Sequence, residues 1–166
     1  MRVAAIDCGT NSVRLLVADV TGDRLTDAAR EMRIVRLGEG VDRTGRLAPE
    51  AIERTRRALQ GYAEQIAASG ATGVRMVATS ASRDASNAAD FRAMVRGVLG
   101  IEPEVISGDE EARLSFTGAV RGLSAEPPYL VVDIGGGSTE FVTGRSEVEA
   151  ALSVDIGCVQ IGRAHV

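Results

Sequence analysis

The chain has 166 residues, of which 45% are apolar and 25% charged, and its formal net charge at pH 7 is −4. This length allows one well-buried domain or two small ones, and the composition is ordinary for a soluble globular protein. The acidic balance argues against a general nucleic-acid binder. No apolar run approaches the about 20 residues of a membrane span, and the N-terminus lacks a signal-peptide pattern. We therefore expect a cytoplasmic protein with no nucleic-acid or membrane partner.

The first part of the chain predicts a β-meander followed by a helix. Short turns at residues 9–12 and 21–23 separate three strands, which we place at 3–6, 13–20 and 23–37. After a loop, Pro49 suits the first turn of a helix and Gly70 ends it.

Strands and helices alternate in the remainder. Asn87 is the expected N-cap of one helix, and Ser107 with Glu110 forms an S-x-x-E capping box that opens another. The predicted elements are a strand at 74–79, a turn at 80–84, a helix at 87–99, a strand at 104–106, a helix at 107–121, a hairpin at 129–143 and a strand at 148–154. A meander followed by this alternation predicts an α/β fold with a mixed sheet.

One pattern occurs twice: an apolar strand that ends in Asp, a turn rich in Gly, Ser and Thr, and a second apolar run. Such turns leave backbone N–H groups and hydroxyls accessible as donors to phosphate oxygens. Gly9 alone also suits an ordinary hairpin turn, whereas such a turn does not need three consecutive glycines. The candidate phosphate-binding residues are Gly9, Thr10, Asn11 and Ser12 in the first turn and Gly135, Gly136, Gly137 and Ser138 in the second.

Cysteine spacing gives no metal or redox motif. Cys8 and Cys158 stand in apolar surroundings without CxxC spacing, so we expect two buried free thiols. A disulfide between them stays open at this point.

Four segments, taken together, resemble the Ppx/GppA phosphatases. They are Asp7-x-Gly-Thr-Asn-Ser-x-Arg14, Val77-Ala-Thr-Ser-Ala-Ser-Arg-Asp-Ala-Ser-Asn87, Ser107-Gly-Asp-Glu-Glu-Ala-Arg113 and Asp133-Ile-Gly-Gly-Gly-Ser-Thr-Glu140. This family comprises exopolyphosphatases and guanosine pentaphosphate phosphohydrolases. The resemblance implies an actin-like ATPase (ribonuclease H-like) lobe, a mixed β-sheet flanked by helices. Residues 1–159 would form the N-terminal lobe, without the second lobe.

The resemblance also implies roles for individual residues. Glu111 would orient or deprotonate the attacking water, and Arg14 would contact the scissile phosphate. Arg83 matches a substrate-contacting arginine. The acids expected to hold Mg²⁺ are Asp133, Glu140 and, with less support, Asp7.

Structural roles remain as alternatives for these residues. Glu110 and Glu111 could both be first-turn acids that complement the helix dipole. Asp133 could form a turn, Glu140 could be an exposed strand residue, and the two arginines could lie solvated on the surface. Arg113 is expected to pair with nearby acids.

The expected reaction is Mg²⁺-dependent hydrolysis of the terminal phosphoanhydride of inorganic polyphosphate or pppGpp, with a homodimer as the full-length form. A non-catalytic polyphosphate or nucleotide sensor, a fragment of an actin-fold sugar or acetate kinase, and an unstable fragment without function remain alternatives. Residues 160–166 resemble a translated sequencing adapter, so we interpret them as a non-native tail and give His165 no role. A natural short tail stays open as the alternative.

Overall fold

The computed structural model describes residues 1–154 and 156–158, which fall into two compact units. The first unit is Met1–Val105 and the second begins at Ile106. The interpretation of residues 160–166 as a non-native tail concerns positions outside the described residues. The assignment of residues 1–159 to a single lobe stays a prediction.

The first unit contains a five-stranded mixed sheet in the order β3-β2-β1-β4-β5. The meander strands pair antiparallel, whereas β4 runs parallel to both β1 and β5. The elements are β1 Arg2–Cys8, β2 Ser12–Thr21, β3 Arg24–Ile34, α1 Val41–Thr44, α2 Pro49–Ser69, β4 Gly73–Ala78, α3 Ser80–Asp84, α4 Ala88–Leu99 and β5 Glu104–Val105.

Helix α2 covers one face of this sheet because its apolar residues recur at helical spacing. Leu59 and Tyr62 are fully buried on α2, and alternate residues of β2 face the same core. The Tyr62 hydroxyl donates to the carbonyl of Val13 over 2.9 Å, which ties α2 directly to β2. Gly70 ends α2 with φ 72°, a left-handed conformation that glycine adopts without steric cost.

Over its described residues, the second unit contains helix α5 and a three-stranded antiparallel sheet in the order β6-β7-β8. Its core consists of Ala112 and Phe116 on the helix and Val142 on the middle strand. The elements are α5 Gly108–Val120, β6 Tyr129–Ile134, β7 Thr139–Gly144 and β8 Val148–Val154.

The predicted order of strands and longer helices is confirmed, with differences of a few residues at their ends. Two short helices, α1 and α3, were not predicted, and α3 replaces the expected turn at 80–84. The prediction for Asn87 is only partly right. It stands at the N-cap of α4, but its side-chain amide bonds the backbone N–H and carbonyl of Leu47 instead of capping the helix.

The cysteine prediction is half right. Neither cysteine forms a disulfide, and Cys8 is buried, but Cys158 is exposed, so its apolar neighbours in the sequence did not indicate its environment. Among the described residues, no helix combines the length and the apolar character that a membrane crossing requires.

Candidate functional site

The two turns that share a sequence pattern also share a backbone geometry. In the first, the N–H of Gly9 donates to the carbonyl of Ser12 over 3.0 Å; in the second, that of Gly135 donates to Ser138 over 2.9 Å. In each hairpin, the strand before the turn has an Asp at its penultimate position, Asp7 in β1 and Asp133 in β6. The candidate phosphate residues therefore lie on two equivalent turns, one in each unit.

Strand register places a different partner opposite the Asp in each hairpin. Asp7 lies opposite Arg14, whose Nη1 is 3.5 Å from the Asp7 carboxylate. Asp133 lies opposite Glu140. The first hairpin therefore presents an acid and a cation side by side, and the second presents two acids.

A loop behind the first turn holds its two central carbonyls. The N–H groups of Val35 and Arg36 both donate to the carbonyl of Asn11, and that of Gly38 donates to Thr10, over 2.8–2.9 Å. We call residues 35–40 the backing loop. Gly38 lies so close to the turn that an added Cβ would overlap the Thr10 methyl group. The first turn is therefore supported along its whole length.

Helix α3 begins beside the same turn. The hydroxyls of Thr10 and Ser80 are 3.0 Å apart, within hydrogen-bond distance. Arg83 lies three residues after Ser80 on α3, hence on a similar side of the helix, and it is exposed. The structure thus places Arg83 within one helical turn of the residue that contacts the first turn.

The second turn has its own support. The N–H of Cys158 donates to the carbonyl of Gly135 over 3.0 Å, and the Thr139 hydroxyl donates to the carbonyl of Ile156 over 2.6 Å. A Cβ added at Gly157 would overlap the backbone of Gly136 and Gly137. In both hairpins, a glycine shortly after the third strand packs against the turn.

Serine hydroxyls orient the two opposed carboxylates of the second hairpin. Ser115 on α5 donates to Oδ2 of Asp133 over 2.7 Å, and Ser153 on β8 donates to Oε1 of Glu140 over 2.9 Å. Glu140 is only 5% exposed, which rules out the alternative that it is an exposed strand residue. Like charges directly opposite one another destabilise a sheet, so this pair favours a bound cation.

The donor set suits one mode of Mg²⁺ binding. Within the part of the chain that the structure describes, no cluster of three or more His, Cys, Asp or Glu residues could hold a metal ion. Mg²⁺ is commonly held by one or two carboxylates together with water and substrate phosphates rather than by an all-protein cage. Asp133 and Glu140 fit that mode. Asp7 lies 3.5 Å from Nη1 of Arg14, and its role at the metal stays a prediction.

Helix α5 separates the roles of its two neighbouring glutamates. The Ser107 hydroxyl caps the helix by accepting from the N–H of Glu110, as predicted. The Glu110 carboxylate pairs with Arg113, which confirms the structural role expected for that arginine. Glu111 is partly exposed and lies four residues before Ser115, on the same side of the helix. The proposed base therefore shares a helix face with the residue that orients Asp133.

Sequence reasoning missed the residues that support this site. Ser80, Ser115, Ser153 and the two packing glycines were not singled out. For Ser115 a signal existed, because its spacing of four from Glu111 places both on one helix face.

Cys8 lies beside Asp7 but stays protonated, since burial raises the pKa of its thiol to about 12 and the Asp7 charge adds to the rise.

Comparisons with known proteins show the family to which the chain belongs. The Ppx/GppA phosphatase family matches residues 16–166. The chain belongs to the Ppx/GppA phosphatase family. Exopolyphosphatase 2 of Mycobacterium tuberculosis is 59% identical over 170 residues, which cover 96% of this chain and 53% of that protein.

Solved structures of this family match nearly the whole chain. An exopolyphosphatase from Cytophaga hutchinsonii matches with a TM-score of 0.92 at 33% identity, covering 100% of this chain and 54% of that one. The Aquifex aeolicus Ppx/GppA family member matches with a TM-score of 0.83 at 38% identity, covering 98% and 54%. A type IV pilus PilM–PilN complex matches with a TM-score of 0.58 at 14% identity, which shows the fold alone.

Two conclusions follow. The predicted actin-like fold class is confirmed, and the chain spans about half the length of the relatives it matches.

Proposed function

We propose that this chain carries the phosphate-binding and hydrolytic residues of an exopolyphosphatase-type enzyme. The reaction is removal of the terminal phosphate of inorganic polyphosphate or guanosine pentaphosphate by water. The proposal includes Mg²⁺ as cofactor, a cytoplasmic location and a homodimer for the full-length form. The observation that carries the proposal is the pair of opposed carboxylates, Asp133 and Glu140, beside a glycine-rich turn. Glu111 lies on α5, the same helix whose Ser115 hydroxyl orients the Asp133 carboxylate.

Each part of the second unit has a task in this reaction. The turn at 135–138 would offer backbone N–H groups to phosphate oxygens. Asp133 and Glu140 would hold Mg²⁺, which when bound neutralises phosphate charge. Glu111 would accept a proton from the attacking water, for which a carboxylate within hydrogen-bond reach is suited. In the first unit, Arg14 and Arg83 would contact substrate phosphates through their guanidinium groups.

Substitution of Glu111 by Gln tests the proposal, with Glu110→Gln as the matched control. The two residues are adjacent on α5, and Glu110 already pairs with Arg113. We expect slow, Mg²⁺-dependent phosphate release from tripolyphosphate by the 166-residue chain, lost in Glu111→Gln and kept in Glu110→Gln. Binding of tripolyphosphate, measured by calorimetry, should be kept in both.

Three outcomes would contradict the proposal or part of it. Unchanged release by Glu111→Gln would exclude Glu111 as the base. Tripolyphosphate binding without any release by the unsubstituted chain would favour a sensor module. We expect slower release than from a relative with both halves, because the substrate chain is then held on fewer sides; an equal rate would contradict that expectation.

A further inference from the structure

We infer that Arg54 is a positioning residue for the first phosphate turn, acting from α2 through the backing loop. The inference rests on the proposed function only in that this turn binds phosphate. Every contact in it lies within the first unit.

Arg54 binds the backing loop at three points. Its Nε donates to the carbonyl of Val35 over 2.9 Å, and its Nη2 donates to the carbonyl of Arg36 over 3.4 Å and to the Glu39 carboxylate over 2.7 Å. The planar guanidinium presents several donors in a fixed arrangement, so one side chain can hold several acceptors of a loop at once. Lysine, with its single ammonium group, offers no such arrangement.

The loop transmits this support to the turn. Val35 and Arg36 accept from Arg54 through their carbonyls and donate to the Asn11 carbonyl through their N–H groups. Arg36 also has φ 49°, a left-handed conformation that is uncommon outside glycine. Such a conformation persists where the surroundings over-determine it. Bonds on both sides of Arg36 therefore hold the loop in one geometry.

The direction of the turn's N–H groups follows from these bonds. In a trans peptide, the carbonyl of one residue and the N–H of the next point in opposite directions. The carbonyls of Thr10 and Asn11 face the backing loop, so the N–H groups of Asn11 and Ser12 point away from it. These are two of the donors proposed for phosphate. Loss of Arg54 would let the loop, and with it these two donors, change direction.

Helix α2 is a suitable support for the backing loop because its Tyr62 side chain is anchored in the core of the first unit. Two turns beyond Arg54, Tyr62 is fully buried and its hydroxyl bonds the carbonyl of Val13, directly after the turn. The same helix therefore contacts both the hairpin, through Tyr62, and the backing loop, through Arg54.

The test compares Arg54→Ala and Arg54→Lys with Arg57→Ala as the control. Arg57 lies on the same helix, is mostly exposed and pairs with Glu53, which keeps Arg56 as a partner. Amide hydrogen exchange of the Val35, Arg36 and Gly38 N–H groups is measured by NMR. We expect exchange at these positions to be about tenfold faster in both Arg54 variants, the order expected from loss of hydrogen bonds to a charged donor.

Core amides and ligand binding complete the test. The Leu59 amide should exchange at an unchanged rate, and the dissociation constant for tripolyphosphate should rise by about tenfold in both Arg54 variants. Unchanged exchange at the three loop amides, an equal acceleration at Leu59, or full recovery by Arg54→Lys would overturn the inference. If the unsubstituted chain fails to bind tripolyphosphate, the proposed function fails, while the exchange rates still decide the role of Arg54.

Discussion

Replacement of Gly38 by Ala should destabilise the first turn through one identifiable contact. Gly38 is buried, and an added Cβ would overlap Cγ2 of Thr10 and lie 3.3 Å from the Cβ of Ala81. Rotation of the Thr10 side chain would relieve the overlap but would break its hydrogen bond with Ser80. We expect a cost of about 1–3 kcal/mol in the free energy of unfolding, the range for overpacking a filled site.

The same reasoning predicts that Thr10→Ser partly restores the stability lost in Gly38→Ala. Thr10→Ser removes the methyl group that would clash and keeps the hydroxyl that bonds Ser80. Alone, it should cost less than about 0.8 kcal/mol, the contribution of one fully buried methyl group, because Thr10 is only partly buried. In the double variant, the costs should fall short of additivity by about 1–2 kcal/mol, as expected for residues in direct contact.

Urea unfolding followed by far-ultraviolet circular dichroism measures these changes, with Gly97→Ala as the control. Gly97 lies on α4 with open space around its Cα, so the same substitution there should stabilise by about 0.5–1 kcal/mol. The reasoning is refuted if Gly38→Ala stabilises the chain as Gly97→Ala does, or if Thr10→Ser recovers nothing.

Two further predictions concern the second hairpin and the cysteines. Ser115→Ala should weaken Mg²⁺ binding, measured by calorimetry, by about 10–100-fold, because the hydroxyl that orients Asp133 is lost. Ser115→Thr should retain affinity. Thr117→Ala serves as the control, because the Thr117 hydroxyl donates to the backbone carbonyl of Arg113 on the same helix. Equal affinities in all variants would contradict the role of Ser115. Iodoacetamide at pH 8 should label the exposed Cys158 and spare Cys8 until the chain unfolds. Burial raises the pKa of the Cys8 thiol from 9.0 to about 12, so between these pH values the thiol ionises only in the unfolded state. The free energy of unfolding should therefore fall as the pH rises from 9 to 12. A urea midpoint that does not change over this range would contradict the prediction.

Much of the fold could be predicted because its signals are local. Alternating burial along β2, helical spacing on α2 and the capping hydroxyl of Ser107 each arise within one element. The predictions failed where a side chain found a distant partner. Asn87 is a residue type that often caps helices. Its side-chain amide instead accepts from the N–H of Leu47 and donates to the carbonyl of Leu47, which lies 40 residues away in sequence.

The sequence by itself determined the two Asp-turn hairpins, the candidate acids and the family resemblance, because residue types at fixed spacing carry that information. Only the tertiary structure decided what supports them. The Arg54 contacts, the Thr10–Ser80 pair and the packing of Gly38 join residues 15 to 70 positions apart in sequence. Such contacts have no period and follow from no local propensity, since they form only when strands and helices have already brought the chain together.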